Sequence, residues 1–347
     1  MEINFSDVKD PILDVAGLAA IELYTPNPDE TVTFFRDLLG MIETERKNGS
    51  VYLRGWEDPY KHSLKITHRD QPGMASATWR VTSSKALDRR IKALEKLGLP
   101  GHWVPADCGM GRAWEFTTPD GAVQQLVWEV EYYEAPEEER SIVLNRHQRR
   151  PLRGIPIKSL DHINILSGDV AANRQMFDEG LGFRLSEQIV ELDGSESGAW
   201  LRAQTRSHDV ALVKDSAGNG GRLHHAAFLF GNLQHLDDAC DVLTDNGIEF
   251  EAGPARHAVS QAQFIYVFEP GGNRIELVGV PGYQVFDPTF QPVVWKQDSL
   301  DNAIIWYGSP LPAEFDTYGT PAVVPTKYRT PNRYVLAEAA AIMDSTQ

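Results

Sequence analysis

The chain repeats itself, and this limits its possible folds more than any other feature. Gly17 to Met41 (GLAAIELYTPNPDETVTFFRDLLGM) matches Ser159 to Phe183 (SLDHINILSGDVAANRQMFDEGLGF). Each reads as a strand, a polar turn, an amphipathic helix, then Leu-Gly before a new strand. A second pair follows in the same order: ASATWRVTSSKALDRRIKALEKLGLP from Ala75, and LHHAAFLFGNLQHLDDACDVLTDNGIEF from Leu223. A third pair, FTTPDGAVQQLVWEV from Phe116 and VFEPGGNRIELVGV from Val267, reads as hairpins turned at Pro-Asp-Gly and Pro-Gly-Gly. The expected fold class is therefore α+β: four copies of one strand–helix–strands module, paired into two halves.

Spacing supports the helices. Leu87, Ile91 and Leu94 recur at i, i+4 and i+7, with Ser83 or Ser84 as N-cap and Gly98 past the end. Leu236, Ala239, Cys240 and Leu243 form one apolar stripe ended by Asn246-Gly247. Cys240 thus reads as a core residue rather than a nucleophile. The expected division is an N-terminal two-module domain over 1–135, a linker over 136–156, a C-terminal two-module domain over 157–282, and an extension over 283–347. Residues 131–154 pass from acidic to basic and read as a solvated linker rather than a binding patch. The extension carries Trp295, Trp306, Tyr307, Phe315 and Tyr318, too irregularly for a fifth module. Its Ala-rich stretch from Tyr334 to Met343 reads as a short helix.

Composition excludes several classes of function. The 347 residues carry 33 basic and 49 acidic side chains, a formal charge of −16, which argues against nucleic acid or an anionic membrane as partner. Two cysteines, Cys108 and Cys240, form neither a metal motif nor a disulfide framework and fit a reducing cytosol. The first ten residues lack the apolar stretch of a signal peptide, and no apolar run reaches the ~18 residues of a membrane span. A cytoplasmic location is expected.

A duplicated chain contains its own control. Positions that serve only the fold should look alike in both halves, whereas those that serve chemistry in one half can differ. The alignment sets His162 opposite Ala20, His225 opposite Ala77, and Glu276 opposite Gln125. Two histidines and a carboxylate are present together in one half and absent together in the other. That set, with open positions, suits a non-haem Fe(II) site that activates O2; Mn(II) would fit it, and Zn(II) would accept it as well. His62, His68, His102, His147 and His235 read as ordinary core or surface residues. Between His224 and His225 the alignment favours His225, because successive strand residues face opposite sides.

LDHIN at 160–164, SHDVAL at 207–212, LHHAAF at 223–228, GPARH at 253–257 and FIYVFEPGGNRIEL at 264–277 resemble the extradiol ring-cleavage dioxygenases. These are the catechol 2,3-dioxygenase type of the vicinal oxygen chelate superfamily. The resemblance spans roughly Val15 to Tyr318 and is strongest in the second half. It implies four βαβββ modules forming two open, barrel-like mixed sheets with helices outside. It implies His162, His225 and Glu276 as iron ligands, His208 as an acid/base residue, and His257 with Tyr266 as the pair that hydrogen-bonds the catecholate. Asn164 and Trp200 match positions lining the oxygen or substrate side.

The implied reaction is cleavage of a catechol by O2 beside its two hydroxyls, giving a 2-hydroxymuconic semialdehyde, in a homo-oligomer of dimer or tetramer size. Relatives acting on dihydroxyphenylacetate place an Arg-Arg pair in the extension, where this chain has Asp301 and Asn302. A neutral monocyclic catechol, plain or alkyl- or halo-substituted, is expected, with Trp295, Trp306 or Tyr307 near the pocket. The alternatives are a bulkier diol such as 2,3-dihydroxybiphenyl, dihydroxyphenylacetate itself, a glyoxalase-type isomerase or thiol transferase, and a protein that only sequesters an aromatic ligand.

Overall fold

The structure is a computed structural model that describes residues 10–296, 299, 303–324 and 326. The Ala-rich stretch at 334–343 and the pair Asp301 and Asn302 lie outside the described residues. In the first half, β1 (Val15–Thr25), β2 (Ile42–Lys47), β3 (Ser50–Arg54) and β4 (Leu64–His68) belong to one module. Then β5 (Gly73–Val81), β6 (Gly101–Val104), β7 (Ala113–Thr117) and β8 (Val123–Val127) belong to the next. They form one eight-stranded sheet ordered β2-β3-β4-β1-β5-β8-β7-β6.

The second half repeats this order with β9 (Ser159–Ser167), β10 (Arg184–Val190), β11 (Glu196–Arg202), β12 (Val210–Lys214), β13 (Arg222–Leu229), β14 (Phe250–Arg256), β15 (Gln263–Phe268) and β16 (Arg274–Val278). A ninth strand from the extension, β17 (Val293–Trp295), adds to its edge. In both sheets the first strands of the two modules pair antiparallel at the centre, β1 with β5 and β9 with β13. The third pair of repeats forms the hairpins β7–β8 and β15–β16.

Each module carries one helix. Ser83 caps α2 (Ser84–Lys96) by accepting from the Ala86 amide at 3.0 Å. Gly98, at φ +75°, ends it in the left-handed conformation. α4 (Leu233–Asp245) buries Leu236, Ala239 and Leu243, with Cys240 packed beside them. Burial pushes the Cys240 thiol up to about 11, which keeps it protonated and inert, as its place in the stripe suggests. The other two helices depart from a plain amphipathic reading. α1 (Pro28–Thr33) and α3 (Val170–Gln175) both run into a π-helical turn, Phe34–Leu38 and Met176–Gly180. The wider turn buries Phe34 with Phe35, and Met176 with Phe177.

The register corrects the repeat alignment at one point. Ile21 pairs with Ala77, and Ile163 pairs with Ala226. Ala77 therefore occupies the place of Ala226, and it is Ser76 that stands where His225 stands. Gln125 keeps its match to Glu276, because Thr78 pairs with Gln125 as Ala227 pairs with Glu276. Both strands carry the same bulge, at Ala75 and at His224, and no insertion separates the halves: Ala77 precedes α2 by the same interval as Ala226 precedes α4, and the small residues Ala75-Ser76-Ala77 carry no register signal of their own.

One main core joins the two sheets. Trp79 of β5, fully buried, meets Phe183 edge-on at 5.1 Å and Phe177 at 6.0 Å, and Phe35 lies 5.3 Å from Phe228. The Trp79 indole N–H donates to Gln124 at 2.8 Å. Replacing Trp79 with Ala should lower the free energy of unfolding by about 3–5 kcal/mol, read from a denaturant midpoint at constant slope. An unchanged midpoint would contradict this packing.

Candidate active site

Alternation along the strands sorts core from cavity. Ile163, Ile165, Ala199, Leu201, Val210, Leu212, Ile265, Val267, Ile275 and Leu277 face the core. The residues between them, His162, Asn164, Trp200, Ala211, Val213, Tyr266 and Glu276, line a cavity of about 500 Å³. His208, His224, His225 and His257 line it too. All eight residues singled out in the sequence therefore meet in one cavity. His68, His102, His147 and His235 lie elsewhere.

At one end, His162 of β9, His225 of β13 and Glu276 of β16 present three buried donor atoms. His162 Nε2 is 3.2 Å from His225 Nε2 and 3.2 Å from Glu276 Oε2, and His225 Nε2 is 3.0 Å from the same oxygen. Spacings of this size would let all three atoms reach a single divalent ion at bond lengths of roughly 2 Å. Glu276 Oε1 is buried without a hydrogen-bond partner, and His257 Nε2 stands 3.7 Å from it. A set of two imidazoles and a carboxylate on one side, the other side open to the cavity, fits a catalytic divalent ion.

The charges agree. Burial opposes a proton on His162, but the Asp161 and Glu276 carboxylates outweigh it and lift the ring to about 9. Burial would raise Glu276, yet the two imidazoles hold it well below the usual carboxylate range. Burial pushes His225 down to about 4. The three donors together favour one positive charge among them, which is what a bound cation provides.

Beside this group the remaining polar residues have defined donors. The His208 ring lies 4.2 Å from the His162 ring, and burial holds it neutral. His257 donates from Nδ1 to the Ile304 carbonyl at 2.7 Å, since a carbonyl only accepts. Its Nε2 therefore accepts, here from the Tyr266 hydroxyl at 3.1 Å. The ring is stacked on Phe264 at 3.8 Å, and burial lowers its pKa. Burial and the Glu276 carboxylate push the Tyr266 phenol well above its ordinary value. Gly253, at φ +89°, lets β14 pass close to β15; a Cβ there would stand 2.6 Å from the Phe264 carbonyl.

The aromatic expectation for the extension holds for one residue of three. Trp306 and Tyr307 are largely exposed, whereas Trp295 packs behind the cavity wall on the cluster of Ile189, Trp200, Ala211 and Val259 and donates its indole N–H to Glu187 at 2.8 Å. Phe315, Ile304 and Asp316 line the cavity instead. Two buried arginines hold that part of the extension. Arg274 forms a bidentate pair with Glu251 at 2.5 and 2.6 Å, donates to the Tyr318 carbonyl at 2.8 Å, and lies 4.6 Å over the Phe315 ring. Arg222 pairs with Asp215 at 2.7 and 2.9 Å and donates to the Thr317 and Gly319 carbonyls at 3.0 Å. The signal was present in the GNRIEL string, because arginine inside an apolar strand is rare unless paired.

The comparisons with known proteins bear on this geometry. The Glyoxalase/Bleomycin resistance protein/Dioxygenase superfamily model matches residues 17–126 and again 159–277. A metapyrocatechase of Geobacillus stearothermophilus is 41% identical over 92% of this chain and 97% of its own. The chain belongs to this superfamily, and within it to the extradiol ring-cleavage dioxygenases. A manganese-dependent 2,3-dihydroxybiphenyl 1,2-dioxygenase of Geobacillus genomosp. 3 is 32% identical over 85% of this chain and 94% of its own. The crystal structure of homoprotocatechuate 2,3-dioxygenase from Arthrobacter globiformis superposes with a TM-score of 0.78 at 27% identity, over 96% of this chain and all of the other. The extradiol dioxygenase fold is thus the one that the four modules were expected to form.

In this extradiol dioxygenase, breaking one partner of the Arg274–Glu251 pair leaves a buried charge. Arg274→Met should cost about 3–5 kcal/mol of stability. Adding Glu251→Gln should recover most of that loss in a chemical-denaturation series. If the double variant is no more stable than the single, the pair is not what the strand end depends on.

Proposed function

We propose that the protein cleaves a neutral, monocyclic catechol, plain or alkyl- or halo-substituted, beside its two hydroxyls, using O2 and one Fe(II) held by His162, His225 and Glu276. The product is a 2-hydroxymuconic semialdehyde. The observation that carries this reading is the three-donor cluster opening onto a cavity that also holds His208, His257 and Tyr266. Mn(II) suits the same donors. Bound there, the metal supplies a common site for substrate and O2 and a path for electrons between them.

The protein's own groups handle orientation and protons. His257, with its Nδ1 proton tied to Ile304, offers Nε2 as the acceptor for a catechol hydroxyl proton. Tyr266 stays a phenol and donates to the same substrate oxygen. His208, neutral and 4.2 Å from the His162 ring, takes up the other proton that the catechol releases and returns it on the oxygen side of the reaction. Asn164 and Trp200 border the substrate; the buried Asn164 Oδ1 has no partner of its own and is free to meet a donor.

Ile189, Ala211, Val213, Val259, Ile304 and Phe315 give the cavity apolar walls suited to a ring and its alkyl substituents. A charged substituent would meet the carboxylates of Glu191 and Asp316 with only Lys214 as cation, and no arginine fork stands among the described lining residues. The alternative of a bulkier diol rests on the cavity's volume of about 500 Å³, more than one ring needs.

We further take residues 157–282 as the catalytic unit and the first half as a structural and assembly unit. The first half offers Ala20, Ser76 and Gln125 where the donors stand, and Gln125 is bonded to Thr78 and Glu115 at 2.9 and 2.8 Å. A homo-oligomer accords with the apolar side chains exposed on the segment linking the two sheets, Ile142, Leu144 and Leu152, and a cytoplasmic location with the two free cysteines. Among the described residues, no helix is long and apolar enough to cross a membrane.

Two measurements test the proposal. Iron-loaded, reduced protein should consume O2 with catechol and 3-methylcatechol faster than with 2,3-dihydroxybiphenyl, and far faster than with 3,4-dihydroxyphenylacetate. A preference for the last would refute the charge argument. Glu276→Gln should lose metal and turnover together, by more than the roughly 10–100-fold that a lost outer partner costs. A variant that keeps its metal but merely binds catechol would point to a sequestering protein instead.

A further inference from the structure

His224 was set aside in the sequence because neighbours on a strand face opposite ways. The register shift between Leu223 and His225 removes that alternation, and both imidazoles lie on the cavity side of β13. His224 is 1% exposed. Its Nδ1 is 2.7 Å from His225 Nδ1, and its Nε2 is 2.9 Å from the carbonyl oxygen of Phe315 in the extension.

Only one arrangement of protons satisfies both contacts for a neutral His224. A carbonyl oxygen only accepts, so His224 Nε2 carries its proton. His224 Nδ1 is then an acceptor, and the proton between the two Nδ1 atoms belongs to His225. That leaves the lone pair of His225 on Nε2, the atom that faces His162 Nε2 and Glu276. The Phe315 carbonyl thus sets the tautomer of a ring two hydrogen bonds away.

We propose that His224 is a positioning residue that fixes His225 in its metal-binding tautomer and ties that ligand to the C-terminal extension. The inference rests on reading His162, His225 and Glu276 as a metal centre. The first half supplies an internal comparison. With Ser76 in the place of His225, Ala75 stands in the place of His224 and Ala19 in the place of Asp161. Asp161 is the corresponding partner of His162, 2.8 Å from its Nδ1. Each ring therefore has its own Nδ1 partner in the half with the donors, and both partners are alanine where the donors are gone. The two acceptors differ: His162 has a carboxylate, which Arg206 holds at 3.0 Å, whereas His225 has a neutral imidazole. Outer partners of this kind orient metal-ligating histidines and set their basicity.

Two substitutions separate the halves of the relay. Asn places its carboxamide oxygen near the Nδ1 position, keeping the acceptor for His225 and losing the Phe315 contact. Gln places its carboxamide nitrogen near the Nε2 position, keeping the Phe315 contact and losing the acceptor. Mn(II) binding to metal-free protein, read by the signal of free Mn(II), should weaken by about 10–100-fold in His224→Gln and by no more than roughly three-fold in His224→Asn. Melting of the metal-free forms tracks the anchoring of the extension separately, and should fall more in His224→Asn.

A purely structural role predicts the reverse order for Mn(II). Equal losses in both variants, or Mn(II) bound by His224→Gln as tightly as by the unmodified protein, would overturn the relay alone. An unmodified protein that binds no Mn(II) or Fe(II) would overturn the metal centre together with it.

Discussion

The antiparallel pairing of β9 with β13 is the contact on which the rest of the second half depends. It sets the first strand of one module against the first strand of the next, so that Ala227 faces His162 across the ladder and His225 faces Asn164. Parallel addition of β16 beside β13 then places Glu276 next to Ala227. Three donors far apart in the chain converge because three neighbouring strands share one twisted surface. No loop is needed to bring them together, which gives the centre the rigidity of a sheet. The outer shell follows the same logic. Tyr266 comes from β15, His257 from the turn between β14 and β15, and His208 from the residue pair just before β12.

Much of this was legible in the residues. The four modules, the two hairpins, the helix caps and the three donors all follow from spacing and from comparing one half with the other. What escaped has identifiable causes. A bulge inserts one residue without changing composition, so His224 was assigned to the wrong side, and the small residues Ala75-Ser76-Ala77 gave no cue to match β5 correctly to β13, although both strands carry that bulge. The π-turns use the same apolar residues as an α-helix, and only the geometry distinguishes them. Of the extension aromatics expected near the pocket, Trp306 and Tyr307 stay at the surface. Phe315, a less conspicuous residue, is drawn inward by Arg274 and His224.

His62 belongs to the same lesson. It reads as an ordinary buried histidine, and it does bond the Cys108 carbonyl at 2.8 Å, with burial lowering its pKa to about 4. Yet Ile21 pairs with Leu64 as Ile163 pairs with Val210, so His62 occupies the place of His208. The protein-fold reading of His62 is right for its present contacts, and the register records a correspondence that residue type alone did not reveal.

The cavity of the first sheet carries this further. Lys65 stands where Ala211 stands in the second sheet, by the pairing of Tyr52 with Lys65 and of Trp200 with Ala211. Its ammonium lies 2.8 Å from Asp107 and 3.4 Å from Glu22, and Asp107 also accepts from the Tyr52 hydroxyl at 2.8 Å. That cavity thus contains a cation supplied by the polypeptide itself, already neutralised by carboxylates. Grafting two histidines and a glutamate onto Ala20, Ser76 and Gln125 would set a second positive charge against a resident one. Converting the first half into another catalytic centre therefore means building around a cation that the fold has already seated and paired.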